Sequence, residues 1–253
     1  MEVITSVKNP LVVKVKKIKQ DPDDKLFLDN PKTIEEAFLL GLNIDVCLID
    51  FNLKDKIFQN YAFLKNVNIT YVSSNVLVNL SDVKTPQGIV CIIDLPKKQV
   101  EKPKSNFIVL ENLQDPGNLG TIIRSARGTG FNDIYLINCV SPYNQKVVRS
   151  TMGAIFTQNL YFFKTTQQFI DFAKTNNLKL CSATMDGTNL FKFNPPKNNF
   201  GVVIGNEGNG ISKDLIEVSD FKVSIPMKNK LESLNAAVAC SIMIYYLDNI
   251  KTF

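Results

Sequence analysis

The chain has 253 residues, 45% of them hydrophobic, and a formal net charge of +5. That length fits one large or two small domains with real apolar cores. Histidine is absent, which excludes a Ser-His-Asp triad and a histidine-based zinc site. The five cysteines (Cys47, Cys91, Cys139, Cys181, Cys240) are odd in number and widely spread, with no CxxC pair. They read as reduced, buried thiols, and no metal is expected. No apolar run is long enough to cross a membrane, and the start, MEVITSVKNP, has no hydrophobic signal core, so a soluble cytoplasmic chain is expected.

Residues 1–95 read as a small α/β unit. Leu11, Val12, Val15 and Ile18 have helical spacing. Thr33–Leu40 also reads as a helix, with Thr33 and Glu36 at capping-box spacing. Short apolar strands are predicted at Val46–Ile49, Ile69–Val72 and Ile89–Ile93. The stretch 96–106, PKKQVEKPKSN, is charged, carries two prolines and reads as a linker.

From Phe107 to the end, strands and helices alternate. Strands are predicted at Phe107–Glu111, Ile134–Asn138, Leu160–Phe163, Lys179–Ala183, Gly201–Ile204 and Lys222–Ile225. Helices fall from about Gly117, then over Gln145–Ile155, Gln167–Lys174, Lys213–Val218 and Ser233–Asn249. This pattern predicts a parallel sheet covered by helices on both faces. The last helix is apolar nearly all round, so a subunit interface is a natural place for it.

The basic residues are unevenly placed. Lys8, Lys14, Lys16, Lys17 and Lys19 form a run without an acid, which suits a phosphate backbone as well as a solvated helix face. Of 29 basic residues only Arg124, Arg127 and Arg149 are arginine, the side chain that offers a planar, multi-donor contact.

Three segments each join a strand end, a Gly/Asn-rich turn and a helix start. The first, NLQDPGNLGTIIRSARGTGF (112–131), starts a helix near Gly117 and Asn118 and sets Arg124 and Arg127 three residues apart. The second, VVIGNEGNGIS (202–212), has the order GxxGxG, which is neither a dinucleotide fingerprint nor a P-loop; its glycines let backbone approach a ligand. The third, IPMKNKLESLNAAVA (225–239), opens the apolar helix. Ser233 reads as its N-cap, which leaves Asn235 two residues inside the helix without a structural reason.

Together and in this order, the three segments resemble the motifs of the SpoU/TrmH group of RNA ribose 2′-O-methyltransferases, strongly over residues 105–253. Ile4-Thr5-Ser6, Asn9-Pro10 and Thr85-Pro86-Gln87-Gly88 resemble, more weakly, the substrate-binding domain of the ribosomal RNA members. The resemblance implies an L30e-like RNA-binding domain over 1–95, the linker 96–106, and a SPOUT α/β-knot domain over 107–253, its C-terminal chain tied in a trefoil knot. It implies S-adenosyl-L-methionine (AdoMet) held by Gly205, Ile225 and Leu234, with Thr184, Asn206, Glu207 and Met227 nearby. It implies a catalytic set of Asn118, Arg124, Glu207, Ser233 and Asn235, and the apolar final helix motivates a homodimer. Arg124 is proposed in the family as the base for the 2′-hydroxyl. A guanidinium with pKa above about 12 resists that role, and holding phosphate and a developing alkoxide is less demanding. Lys14, Lys16, Lys17, Lys19, Arg127 and Arg149 are the candidate RNA contacts. The chain departs from the family pattern at Asn229, where glycine is usual. The substrate implied is 23S ribosomal RNA; the same chemistry on transfer RNA, or a catalytically silent RNA-binding protein, stays open.

Overall fold

The computed structural model describes residues 2–22, 25–95, 99–229 and 233–250. Lys97 and Lys98 of the linker, and Lys230, Leu231 and Glu232 of the third motif, lie outside them. The chain divides into two compact units, Met1–Lys97 and Lys98–Phe253.

The first unit runs β1 (Val3–Ile4), α1 (Pro10–Gln20), β2 (Lys25–Leu28), α2 (Pro31–Leu39), β3 (Ile44–Asp50), α3 (Lys54–Asn60), β4 (Thr70–Val72), α4 (Ser74–Leu80) and β5 (Ile89–Asp94). Its strands lie in the order β1-β4-β3-β5-β2, with β5 antiparallel to both its neighbours. Alternate residues face opposite sides of a sheet. Val46, Leu48, Val90 and Ile92 therefore meet Val12 and Val15 of α1 and Val76, Leu77 and Leu80 of α4 in one core. α2 starts earlier than the Thr33–Glu36 spacing predicts. Asn30 is the cap, its side chain accepting from the amides of Lys32 and Thr33, and Pro31 occupies the first helical position, where its missing N–H costs nothing. The strand β2 and the helices α3 and α4 are too short, at four to seven residues, for periodicity to mark them.

The second unit runs β6 (Phe107–Glu111), α5 (Pro116–Arg127), β7 (Asp133–Ile137), α6 (Gln145–Thr151), β8 (Asn159–Phe163), α7 (Thr166–Thr175), β9 (Lys179–Asn189), β10 (Phe200–Ile204), α8 (Lys213–Glu217), β11 (Phe221–Ser224) and α9 (Ala236–Ile250). All six strands are parallel, in the order β11-β9-β10-β6-β7-β8. Phe107, Val109, Tyr135 and Ile137 pack with Phe169 and Ile170 of α7 and Leu215 of α8. The alternate positions Ile108, Leu110, Ile134 and Leu136 are also buried, on the face that α5 and α9 share. Each such side chain removed from water contributes roughly 1.5–3 kcal/mol. The sheet is parallel and covered on both faces, as the alternation predicts.

Three boundaries differ from the sequence reading by more than two residues. α6 stops at Thr151, because Met152 and Gly153 take left-handed φ values of 48° and 85°. β9 continues past Ala183 to Asn189, but its pairing with β11 jumps from Ser182 to Thr188. The five intervening residues, Ala183–Gly187, arch out of register. Finally α9 begins at Ala236, not Ser233. Asn235 is its cap: Oδ1 accepts from the amides of Ala237 at 2.9 Å and Val238 at 3.2 Å. The residue that lacked a structural reason is the one that starts the helix.

Candidate active site

In the second unit the chain goes from β6 outward to β7 and β8, then returns to the other side of β6 for β9 and β10. The switch point lies between β6 and β10, and ligands of open parallel sheets bind beyond the strand ends there. The loops that follow β6 and β10 in the first two motifs, residues 112–115 and 205–211, fall at this place.

The loop after β10 is held in one shape. Asn206 and Gly210 form an isolated antiparallel bridge, and the Asn206 Oδ1 accepts from the amides of Gly208 (2.9 Å) and Asn209 (3.2 Å). Asn206 Nδ2 donates to the Asn112 carbonyl at 2.9 Å, which ties the two loops together. Gly205 is dictated by space, since a Cβ there would lie 2.1 Å from the Gly210 carbonyl carbon. At the far end of the loop, the Ser212 amide donates to Glu111 Oε2 at 2.7 Å and the Ser212 hydroxyl to Oε1 at 2.8 Å. Thr166 Oγ1, at the head of α7, donates to the same Oε1 at 2.5 Å. Glu111 is fully buried at the end of β6. Its charge is met by three donors from two other elements.

Beside this loop is a cavity of about 400 Å³. All seven residues expected around the cofactor line it: Gly205, Asn206, Glu207 and Thr184, with Ile225, Met227 and Leu234 from the third motif. Ser233 lines it too. Thr184 sits on the out-of-register arch of β9, and its Oγ1 is buried without a hydrogen-bond partner. A buried hydroxyl of this kind is normally satisfied, so an orphan on a cavity wall marks a place for a ligand atom. Gly187 permits the arch to cross β11, since a Cβ there would meet the Lys222 carbonyl carbon at 2.5 Å. Asn229, where the family pattern usually has glycine, holds a φ of 57°, the left-handed region that asparagine tolerates among non-glycine residues.

At the cavity mouth, side-chain amides run in series. Asn235 Nδ2 donates to Asn118 Oδ1 at 2.8 Å, and Asn118 Nδ2 donates to Glu207 Oε1 at 2.7 Å. Asn118 is placed by α5, whose cap Asp115 accepts from the Asn118 amide at 2.7 Å. Of the expected catalytic set, Asn118, Glu207 and Asn235 are joined in this series, and Ser233 stands exposed on the cavity wall. Arg124 is exposed on the same helix as Asn118 but six residues on, about 9 Å further along the axis, and is not bonded to the series. Cys139 lies close to Glu111 and Glu207; burial pushes its thiol up to about 11, so it stays neutral.

The candidate RNA contacts are scattered. Lys14 pairs with Asp45 at 3.3 Å, Lys16 reaches Asn79 at 3.5 Å, and Lys19 bonds Asp82 at 2.5 Å and the Leu80 carbonyl. Lys17 is exposed. Arg127 is exposed at the end of α5, and Arg149 is half-buried in α6. Sequence reasoning missed Glu111, Asn112 and Asn138. The last two take left-handed φ values of 55° and 48° and are joined by a 2.7 Å bond from Asn138 Nδ2 to Asn112 Oδ1. The signal available was an asparagine directly after each of two buried strands.

A glycine-shaped cavity beyond the ends of β9, β10 and β11, next to the switch point of a parallel sheet, is the small-molecule site of an α/β protein. Residues 105–245 match the model of the SpoU rRNA methylase family. The chain belongs to that family and is an RNA ribose 2′-O-methyltransferase. It is 30% identical to an uncharacterised tRNA/rRNA methyltransferase of Synechocystis, over 96% of this chain and 92% of that protein. It is 28% identical to the 23S rRNA (guanosine(2553)-2′-O)-methyltransferase RlmP of Bacillus subtilis, over 70% of this chain and 71% of that one. The fold matches the crystal structure of an AdoMet-bound rRNA methyltransferase from Sinorhizobium meliloti with a TM-score of 0.83, at 22% identity and 98% coverage of both chains.

Proposed function

We propose that the chain methylates a ribose 2′-hydroxyl of large-subunit ribosomal RNA in the cytoplasm, with AdoMet as cofactor and no metal. The observation that carries this is the bonded series Asn235–Asn118–Glu207 at the mouth of a cavity holding an unpartnered buried hydroxyl. Ile225 and Leu234 offer apolar surface for a flat purine, Thr184 Oγ1 a polar partner, and the 205–210 loop its backbone edges. When bound, AdoMet supplies an electrophilic methyl group.

The chain's own residues then have to align one hydroxyl and exclude its alternatives. Asn235 has one amide hydrogen left after its three bonds, and Ser233 has its hydroxyl; both are placed to orient the ribose. Arg124 and Arg127 on the exposed side of α5 hold the flanking phosphates, and Arg124 steadies the negative charge that develops on the oxygen. A second copy of the chain covers the outward stripe of α9, where Val238 and Tyr245, seven residues apart, are 47% and 45% exposed. The first unit is taken as L30e-like and RNA-selecting, and the end of the second as knotted.

The test is transfer of tritium from labelled AdoMet to ribosomal RNA and to transfer RNA, followed by mapping of ribose methylation, with light scattering for the dimer. Label confined to transfer RNA would replace the substrate assignment. No transfer to either would remove the enzyme reading.

A further inference from the structure

The first unit has a cavity of its own, about 360 Å³, at the sheet edge where β2 and β3 end and β5 begins. Three segments build it: Pro31 at the start of α2, Leu53, Lys56, Ile57, Asn60 and Tyr61 along α3, and Pro86 and Gln87 in the loop before β5. The loop is pressed onto α3 at Gly88, whose φ of 81° and whose contact with Leu53 and Ile57 leave no room for a side chain.

We propose that this cavity takes one unstacked base of single-stranded RNA. The two prolines, Leu53, Ile57 and the Tyr61 ring make flat apolar walls, the surface on which a splayed base rests. Asn60 and Gln87 bring exposed amides, which carry donors and acceptors together and so match the edge of a base. Asn60 gives one amide hydrogen to the Lys56 carbonyl at 2.8 Å and keeps its oxygen free. The rim is cationic. Each building segment carries an exposed lysine, Lys32, Lys56 or Lys84, and among the described residues no carboxylate lines the cavity. Among the described residues none of these three is ion-paired, whereas Lys14 and Lys19 of α1 are, so this rim offers free charge to a phosphate. An apolar slot with amide edges and a ring of free cations fits a nucleotide within a strand, whose base rests on the walls and meets the amides while its phosphates meet the lysines.

The inference rests on the reading of the chain as an RNA-modifying enzyme, but its test is separate. The full chain is titrated with fluorescein-labelled RNA oligonucleotides of A, C, G or U, at several KCl concentrations, by fluorescence anisotropy. AdoMet affinity is measured on the same samples by calorimetry. The wild type should prefer one base. Asn60→Ala with Gln87→Ala should weaken that oligonucleotide about tenfold, abolish the preference and keep the salt slope. Lys32→Gln, Lys56→Gln and Lys84→Gln together should weaken all four alike and lower the salt slope by about 2, at ~0.7 per phosphate. All five side chains are exposed, so the variants should fold, and AdoMet affinity should not move. A wild type without base preference, or a double alanine variant that retains it, overturns the proposal. Binding of free mononucleotides but not of oligonucleotides overturns it in favour of a small-molecule site. A wild type that fails to bind AdoMet would sink the enzyme reading and leave the base pocket standing on its own result.

Discussion

Asn118 Nδ2 donates to Glu207 Oε1 at 2.7 Å across 89 residues of sequence, and the direction of that bond is fixed elsewhere. Asn235 spends both lone pairs of Oδ1 on the first amides of α9, so only its Nδ2 can face Asn118. Asn118 must then present its oxygen to Asn235 and its nitrogen to Glu207. A helix cap thus sets which way the Asn118 amide points. The local rule of helix initiation and the chemistry of the site are one arrangement.

Replacing Asn235 with Asp separates the two roles. Aspartate caps a helix as well as asparagine, so the melting temperature should hardly change. The carboxylate would face Asn118 Oδ1, and turning Asn118 would set its oxygen against the Glu207 carboxylate. An acceptor facing an acceptor is unfavourable either way. Methyl transfer should fall at least tenfold in Asn235→Asp, while Asn235→Ala should also lose about 1 kcal/mol of stability. Thermal melts beside single-turnover rates check both, and a normal rate in the aspartate variant would show that amide direction is irrelevant.

Thr184→Val tests the orphan hydroxyl. The valine has the shape of threonine without the unpartnered oxygen, so the cofactor-free protein should be as stable or slightly more so. AdoMet should bind up to about tenfold more weakly, the scale of one lost hydrogen bond. Calorimetry on wild type and variant decides it. Unchanged affinity would mean that the hydroxyl faces nothing when the cavity is filled.

The parallel sheet was legible because its strands are continuous apolar runs between helix-spaced segments. Phe107–Glu111 was read with its observed bounds. The motifs point to residues that the fold gathers around one cavity, but not to the bonds those residues make. Ser233 and Asn235 are both good caps, and only the placement of Ala236 in the first turn tells which one is used. Thr184 lies past the apparent end of a strand that in fact continues, because the arch of Ala183–Gly187 is set by β11, some 35 residues later, and not by local propensity. Glu111 reads as the polar end of a strand, since its partners Thr166 and Ser212 lie 55 and 101 residues away. The lysine run of α1 could not be resolved by composition, because Asp45, Asn79 and Asp82 reach it only in the fold.

Glu111→Gln should disturb the cofactor loop. The carboxylate accepts from the Ser212 amide with one oxygen and from two hydroxyls with the other. A glutamine can satisfy the hydroxyls with its oxygen, but its NH2 group would then confront the Ser212 N–H, donor against donor. The loop from Gly205 to Ile211 should shift at its far end, raising KM for AdoMet several-fold with a smaller change in kcat. A purely structural role would instead lower the melting temperature and the amount of active enzyme, leaving KM as it was.

Arg124→Lys keeps the charge and removes the planar fork. Arg124 is exposed, bonded to nothing in the Asn118 series and placed on the open side of α5, so the free enzyme gains little from its shape. Its value must come from RNA. A guanidinium can contact a phosphate and a hydroxyl oxygen at once, which an ammonium on a flexible stem does poorly. AdoMet affinity and melting temperature should therefore match the wild type, RNA affinity should fall only slightly, and kcat should drop by an order of magnitude or more. Calorimetry with AdoMet, anisotropy with RNA and single-turnover methylation measure the three quantities on one preparation. Near-normal turnover in the lysine variant would make Arg124 a generic positive charge. The developing alkoxide would then have to be stabilised by the donors already gathered at the mouth, Asn235 and Ser233.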